Sequence, residues 1–308
     1  MRCPITYAKI KSGKYSLEGL HSLSPKLHTL IDLPLTLSEI RQEYIRRAGK
    51  MAIQGVQPKL SMKLSVKDQQ FEIVDMKGKF ILKPQNELYP ELPENEDLSM
   101  KMAAICGIEV PWHGLIYSKD NILNYVIRRF DRKGHTDKLA LEDFAQLSQA
   151  TRRTKYKSSM EKVISIIDTY TTFPILEKIK LFKRTLFNFL IGNEDMHLKN
   201  FSLITRNGKV ELSPAYDLLN TSIVIEKPKE EIALPLAGKK RNLNRKDFIE
   251  RFGKERMEIP GKKVVELVDS LYNCLPVWID LIKISFLSNS IKDKYLNLLK
   301  ERKTRIFG

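Results

Sequence analysis

The chain has 308 residues, 42% of them hydrophobic and 29% charged, which suits one large globular domain or two lobes and excludes a disordered chain. Lys and Arg number 53 against 37 Asp and Glu; the resulting +16 field attracts nucleic acid, an acidic protein face or nucleotide phosphates without choosing among them. Three scattered cysteines exclude a disulfide framework or zinc ribbon, and with no secretory leader and no apolar run of about 18–20 residues the chain reads as cytoplasmic, without a membrane partner.

Residues 1–50 are loop-rich at first, then helical around Thr36–Arg47. From Lys59 the runs L-S-M-K-L-S-V, F-E-I-V and K-F-I-L-K-P alternate apolar and polar as half-buried strands do, and Gly78 lies between the last two, where a hairpin would turn. A helix is predicted from Glu94 to Cys106, acidic in its first turn, with Gly107 just beyond its end. Strand-like I-E-V-P-W-H-G-L-I-Y and N-Y-V-I-R-R-F follow, so residues ~50–130 predict an antiparallel sheet with one inserted helix. After Arg132 the runs L-E-D-F-A-Q-L-S-Q-A, S-M-E-K-V-I-S-I-I-D-T-Y and I-L-E-K-I-K-L-F-K-R-T-L-F-N-F-L-I recur at helical spacing. The third is apolar nearly all round, so it should be a core helix, ending at Gly192. Further helices are expected from about Leu243 onward, completing the large lobe. The predicted fold is α+β and bilobal, with a small antiparallel-sheet lobe at 1–127 and a larger helical lobe at 128–308. The basic clusters, among them Arg152, Arg153, Lys155 and Lys157, fit a solvated cationic surface.

The chemistry concentrates in G-N-E-D-M-H-L-K-N-F-S-L-I, residues Gly192 to Ile204, and in V-E-L-S-P-A-Y-D-L-L, which carries Asp217. Phosphoryl transfer needs one carboxylate to orient the attacking hydroxyl, and a carboxylate and an amide oxygen as hard ligands for magnesium. Asp195, on a loop anchored by the core helix, suits the first role. Asn200 and Asp217, expected on the two arms of a hairpin, suit the second, and D-x-x-x-x-N is the spacing of a protein-kinase catalytic loop. Taken alone, that spacing is short enough for Asp195 to be a turn cap and Asp217 a surface residue; the core helix before it and the hairpin after it argue otherwise. His197 either braces the loop by hydrogen bonds, the preferred reading, or moves a proton. Upstream, Lys83 at a strand end can supply a cation for phosphates, with Glu96 as its positioning partner. The loop at 52–60, with Gln57 and Lys59, can cover a nucleotide, and Phe130 can pack on adenine.

These residues together resemble the HipA-type kinase toxins. The resemblance rests on G-V-Q-P-K-L-S, L-K-P, P-E-N-E, E-V-P, R-R-F-D-R, L-A-L-E-D-F-A-Q-L, G-N-E-D-M-H-L-K-N-F-S and S-P-A-Y-D-L-L, in order over about residues 48–222. It implies a bilobal kinase-like fold and ATP/Mg2+ chemistry. It also implies Ser/Thr phosphorylation of an aminoacyl-tRNA synthetase, hence translation inhibition, and control by a DNA-binding antitoxin. Residue by residue, Asp195 would be the catalytic base, Asn200 and Asp217 the Mg2+ ligands, Lys83 a phosphate contact and Phe130 part of the adenine site. Longer members carry an extra N-terminal subdomain; this chain resembles the short HipT-like form of a three-gene system, in which a small antitoxin protein replaces it. The family's autophosphorylated serine corresponds to Ala52, which has no hydroxyl, so that control cannot operate there. Either the lineage lost the hydroxyl or it was removed deliberately, the second being favoured. Two other functions fit parts of the pattern: a catalytically silent binding module, and a small-molecule phosphotransferase with the same D-x-x-x-x-N loop.

Overall fold

The computed structural model describes residues 1–47, 58–134, 137–151, 154–225 and 230–308, so the expectations at Ala52 and Gln57 lie outside the described residues. Two compact units result: Met1–Leu98 with Pro111–Asp137 and Ile284–Leu287, and Ser99–Val110 with Lys138–Lys283 and Ser288–Gly308. The sequence reading places one division after residue 127; here the chain divides several times. The helix at 92–105 belongs half to each unit, because its first turns engage residues of the first unit and its last turns residues of the second.

In the first unit, α1 (Leu17–Leu23) and α2 (Leu37–Arg47) precede β1 (Leu60–Ser65), β2 (Gln70–Ile73) and β3 (Phe80–Lys83). Then come α3 (Leu92–Ile105), β4 (His113–Tyr117), β5 (Leu123–Arg128) and the short strands β6 (Arg132–Lys133) and β7 (Asp137–Lys138). The sheet runs β2-β1-β3-β5-β4, antiparallel throughout. Alternation sets its faces: Leu60 and Met62 are fully buried, and Met62 lies opposite Phe80 on one side and Ile73 on the other.

The hairpin expected at Gly78 does not form. β2 and β3 do not pair with each other; each flanks β1, so the chain between them crosses that strand. Gly78 is needed for the crossing: a Cβ there would lie 1.9 Å from Ser61 Oγ and 3.0 Å from Met62 N.

α3 buries a row of charged and polar residues, each tied to a separate partner. Glu94 accepts from Gln85 Nε2 on both carboxylate oxygens at 2.8 Å. Glu96 holds Lys83 Nζ at 2.5 Å, and Asp97 Oδ1 lies 2.8 Å from His113 Nδ1. Burial pushes the Glu94 carboxyl up to about 7, against the pull of the Gln85 hydrogen bond.

The second unit holds β8 (Leu141–Asp143), α4 (Phe144–Leu147), α5 (Met160–Tyr170) and α6 (Pro174–Ile191). A single 3-10 turn, Leu198–Asn200, leads to β9 (Ser202–Arg206) and β10 (Lys209–Leu212). A π-helical segment, Asp247–Arg256, then precedes α7 (Gly261–Tyr272), α8 (Leu275–Ile284) and α9 (Asn289–Phe307). The helix expected over residues 141–150 is mostly absent. Leu141–Asp143 pairs with β9 as the edge of a β10-β9-β8 sheet, and Asp143 then opens a four-residue helix with a capping box to Gln146.

α6 is the axis of this unit, as its all-round apolarity requires. Phe187 packs edge-on to Trp278 of α8 at 5.3 Å, and the Arg302 guanidinium of α9 lies 4.4 Å from the Phe189 ring centre. Each buried aromatic contributes about 1.5–3 kcal/mol of apolar burial. The C-terminal helices therefore close the core around α6.

Two outcomes follow from this frame. Glu94 binds its proton more tightly folded than unfolded, so its contribution to stability is full below pH ~4.5 and is lost as pH rises through about 7. Urea unfolding of Glu94→Gln should therefore show a smaller loss between pH 5 and pH 8 than wild type, by at most about 3 kcal/mol. Equal losses would overturn the assignment. Gly192 ends α6 at φ 74, and a Cβ there would meet Leu298 Cδ2 at 2.3 Å and Ser222 Oγ at 2.9 Å. Gly192→Ala should destabilise by roughly 2–4 kcal/mol in the same assay, combining the left-handed backbone with overpacking.

Candidate active site

The loop that follows α6 is anchored at the Gly192 carbonyl. It accepts from Thr221 N at 3.0 Å, Ser222 N at 3.1 Å and Thr221 Oγ1 at 3.2 Å. Ser222 Oγ lies 3.0 Å from the same oxygen and 2.6 Å from Glu194 Oε1; its one proton goes to the nearer carboxylate. Glu194 N donates to Thr221 Oγ1 at 2.8 Å. The segment after Asp217 is thus fastened to the segment before Asp195.

Within the loop, Asn193 receives Asp195 N on its side-chain oxygen at 3.2 Å and donates Nδ2 to Asn188 Oδ1 at 3.0 Å. The Asp195 carbonyl accepts from His197 N at 2.8 Å and from Asn200 Nδ2 at 2.7 Å. The Asn200 amide is thereby oriented: its nitrogen is committed to the loop, and its oxygen is the atom left to meet a cation. The Asp195 carboxylate is 52% exposed, and the Tyr156 hydroxyl donates to its Oδ1.

Asn200 and Asp217 do not sit on the arms of the hairpin. Asn200 ends the 3-10 turn before β9, and Asp217 lies in the irregular segment beyond β10. The hairpin still brings their neighbourhoods together, since Ser213 N donates to Ser202 O at 2.9 Å, and Asn207 and Gly208 at φ 49 and 75 make its turn. Tyr216 reinforces the tie, donating to Lys199 O at 3.0 Å and sharing a 2.5 Å hydrogen bond with Ser202 Oγ. Below it Arg184, buried in α6, donates to Ser213 O at 2.6 Å; burial pushes its guanidinium down to about 10, so it stays charged at neutral pH. Asp217 has φ 53, a left-handed conformation that Asp tolerates better than most residues and that is often held at functional sites.

His197 braces this loop. Its carbonyl accepts Asn200 N at 2.9 Å, Lys199 N points at Nδ1 from 3.2 Å, and Lys155 Nζ lies 2.5 Å from Nε2. A neutral imidazole has one lone pair for these two donors, so the site offers little room for a second ring proton. Burial lowers its proton affinity, with Lys155 adding to the effect; the carboxylates of Asp195 and Asp217 oppose it, and the net shift is downward.

The other expected residues lie in the first unit. Lys83 and Glu96 form a buried ion pair, with Lys83 Nζ 5.5 Å from the Tyr125 ring centre. Lys59 is half-buried just before β1, and Phe130 is half-buried just after β5. Sequence reasoning missed Tyr156, Lys155, Thr221 and Ser222. By sequence Lys155 belongs with the surface cations, and nothing in its own segment signals a contact with a loop some forty residues away. The adjacent hydroxyls of Thr221-Ser222 directly after Y-D-L-L-N were the available signal for the clamp.

Among the described residues no three or more His, Cys, Asp or Glu are grouped so that they could hold a metal ion. An amide oxygen and one carboxylate suit Mg2+ instead, which keeps several waters and takes its remaining ligands from phosphates.

The family model described as "HipA-like C-terminal domain" matches residues 51–278. A Haemophilus influenzae protein named only as a candidate kinase is 34% identical over 238 residues, covering 71% of this chain and 66% of that protein. The Ser/Thr-protein kinase toxin HipA of Shewanella oneidensis is 24% identical over 194 residues, covering 56% of this chain and 44% of the toxin. The chain thus spans two-thirds or less of these relatives' length. In fold, the Shewanella HipA solved with HipB and its operator DNA superposes with a TM-score of 0.71 at 18% identity, over 90% of this chain and 73% of that one. The Helicobacter pylori proinflammatory kinase CtkA superposes with a TM-score of 0.54 at 17% identity, over 74% and 87% of the two chains. With a matching family model over most of its length and the kinase-like α+β fold of these structures, this chain belongs to the HipA-like C-terminal domain family.

Proposed function

We propose that the chain is an ATP- and Mg2+-dependent protein Ser/Thr kinase of toxin type. The observation that carries the reading is the Asp195–Asn200 turn, in which the Asn200 amide nitrogen is bound to the Asp195 carbonyl while the Asp195 carboxylate stands half-exposed above it. In this reading the acceptor hydroxyl oxygen bonds to the γ-phosphorus as the bond to the β,γ-bridging oxygen breaks. ADP leaves with that electron pair, and the hydroxyl proton passes to the Asp195 carboxylate. Asn200 and Asp217 would hold Mg2+, which neutralises phosphate charge when bound. Lys83, fixed by Glu96, would meet phosphate oxygens; Lys59 and Gln57 would line the nucleotide from the covering loop, and Phe130 its base. His197 keeps the loop in shape.

The finer assignments rest on the family. A kinase toxin such as the Shewanella relative supports a protein substrate, here an aminoacyl-tRNA synthetase, and hence inhibition of translation in the cytoplasm. That HipA was solved with HipB and operator DNA, which supports a DNA-binding antitoxin as partner here. A second, small antitoxin in place of an N-terminal subdomain would complete a HipT-like system, and Ala52 would leave the kinase without self-inactivation at that position. Among the described residues no helix is long and apolar enough to cross a membrane.

Incubating lysate with the protein and γ-labelled ATP should place label in protein rather than in metabolites, with matching ADP release. Asp195→Asn should lower transfer by roughly 100- to 10,000-fold while nucleotide affinity is kept. Equal transfer in the two proteins, or label confined to small molecules, would sink the reading. Glu96→Gln, which removes the carboxylate that Lys83 Nζ meets at 2.5 Å, should raise the KM for ATP and lower the urea midpoint together, at a cost of about 3–5 kcal/mol.

A further inference from the structure

The turn at residues 154–157 has no role in the reading so far, yet it reaches the base. Its backbone is tied locally, Lys157 N donating to Thr154 O at 2.8 Å, and it is joined to the catalytic loop by Leu198 N donating to Lys155 O at 3.4 Å. From this turn two consecutive side chains enter the site. Lys155 Nζ stands 2.5 Å from His197 Nε2 and 4.8 Å from the Tyr156 ring centre. The Tyr156 ring meets His197 edge-on at 4.9 Å, and its hydroxyl donates to Asp195 Oδ1. His197 Nε2 lies 3.9 Å from that same oxygen.

The two oxygens of Asp195 are therefore unlike. Oδ1 faces Tyr156 and His197; Oδ2 has no hydrogen-bond donor among the described residues. A half-exposed carboxylate on a short loop would otherwise sample several rotamers, and each wrong one moves the accepting oxygen away from an incoming hydroxyl. A rigid phenol, itself packed on His197, removes that freedom at small entropic cost.

We propose that Tyr156 is a positioning residue for the base: it holds Asp195 Oδ1 so that Oδ2 is the oxygen presented to the acceptor hydroxyl. This rests on the kinase reading above. In the transfer step Oδ2 takes the hydroxyl proton, and Tyr156 keeps its own proton throughout.

The test is Tyr156→Phe, which keeps the ring on His197 and removes only the donor. We expect kcat to fall at least tenfold, with the KM for ATP and the thermal midpoint unchanged. In an Asp195→Asn background the same substitution should change the residual rate less than twofold, because both act through one carboxylate. Separately, 3-fluorotyrosine placed at position 156 should shift its 19F resonance when Asp195 is replaced by Asn, reporting the contact without reference to activity. An active wild type whose Tyr156→Phe variant is equally active, or faster because the phenol had been occupying the acceptor's place, overturns this inference and leaves the kinase reading intact. A wild type that transfers no phosphate to any lysate component sinks the kinase reading, and a catalytic role for Tyr156 with it.

Discussion

The site depends on one carbonyl oxygen. Gly192 O, at the left-handed end of α6, takes three hydrogen bonds from Thr221 and Ser222. Asp195 and Asp217 are far apart in sequence, and that oxygen is where the segments carrying them are joined. From Leu181 to Ile191 α6 is almost wholly buried, with Trp278 and Arg302 packed against its Phe187 and Phe189, so the anchor has the rigidity of the core behind it. In the proposed kinase reading, carboxylate, amide and carboxylate serve a phosphate only if all three keep their places, and the segments that carry them meet at a single helix end.

Much of this was legible in the sequence, for identifiable reasons. α6 announced itself because Leu186, Phe187, Phe189, Leu190 and Ile191 make its last turns apolar nearly all round, and those turns are buried. β1 and β3 showed because their runs read as alternating, and β5 because Tyr125, Val126 and Ile127 form a short aromatic and β-branched run. Asp195 and Asn200 could be paired because their relation is local, held within one turn by the Asp195 carbonyl. What failed was non-local. Gly78 reads as a hairpin glycine, and only the pairing order shows that it lets the chain pass over Ser61. Leu141–Asp143 has a helical pattern, yet the exposed edge of β9 captured it as a strand, leaving a helix only from Phe144. Tyr156 carries no signal at all, because its meaning lies in a neighbour that another part of the chain supplies.

Polar groups are buried by different means around Asp195 and around Lys83. Around Asp195 the hydrogen bonds are mostly backbone and amide, neutral groups that fix geometry while leaving one carboxylate open to solvent. In the first unit the same stability problem is met with charge. Lys83 and Glu96 are both nearly inaccessible, and such a pair adds little net stability over an apolar replacement. In the proposed kinase reading, the pair serves to fix an ammonium rather than to stabilise the fold.

The start of α3 extends that argument. Glu94, Glu96 and Asp97 are all buried, and their partners, Gln85, Lys83 and His113, come from different places: the loop after β3, the end of β3 and the start of β4. Rotating the helix by one residue, about 100°, would strand all three acids at once, each at the cost of an unpaired buried carboxyl. An apolar helix face could slide and repack; this one has a single register. That register also sets where Glu96 lies against β3, and hence where the Lys83 ammonium is held. The charge on α3 therefore fixes orientation first, and Glu94, kept partly protonated near neutrality by its own burial, is the member through which pH can loosen it.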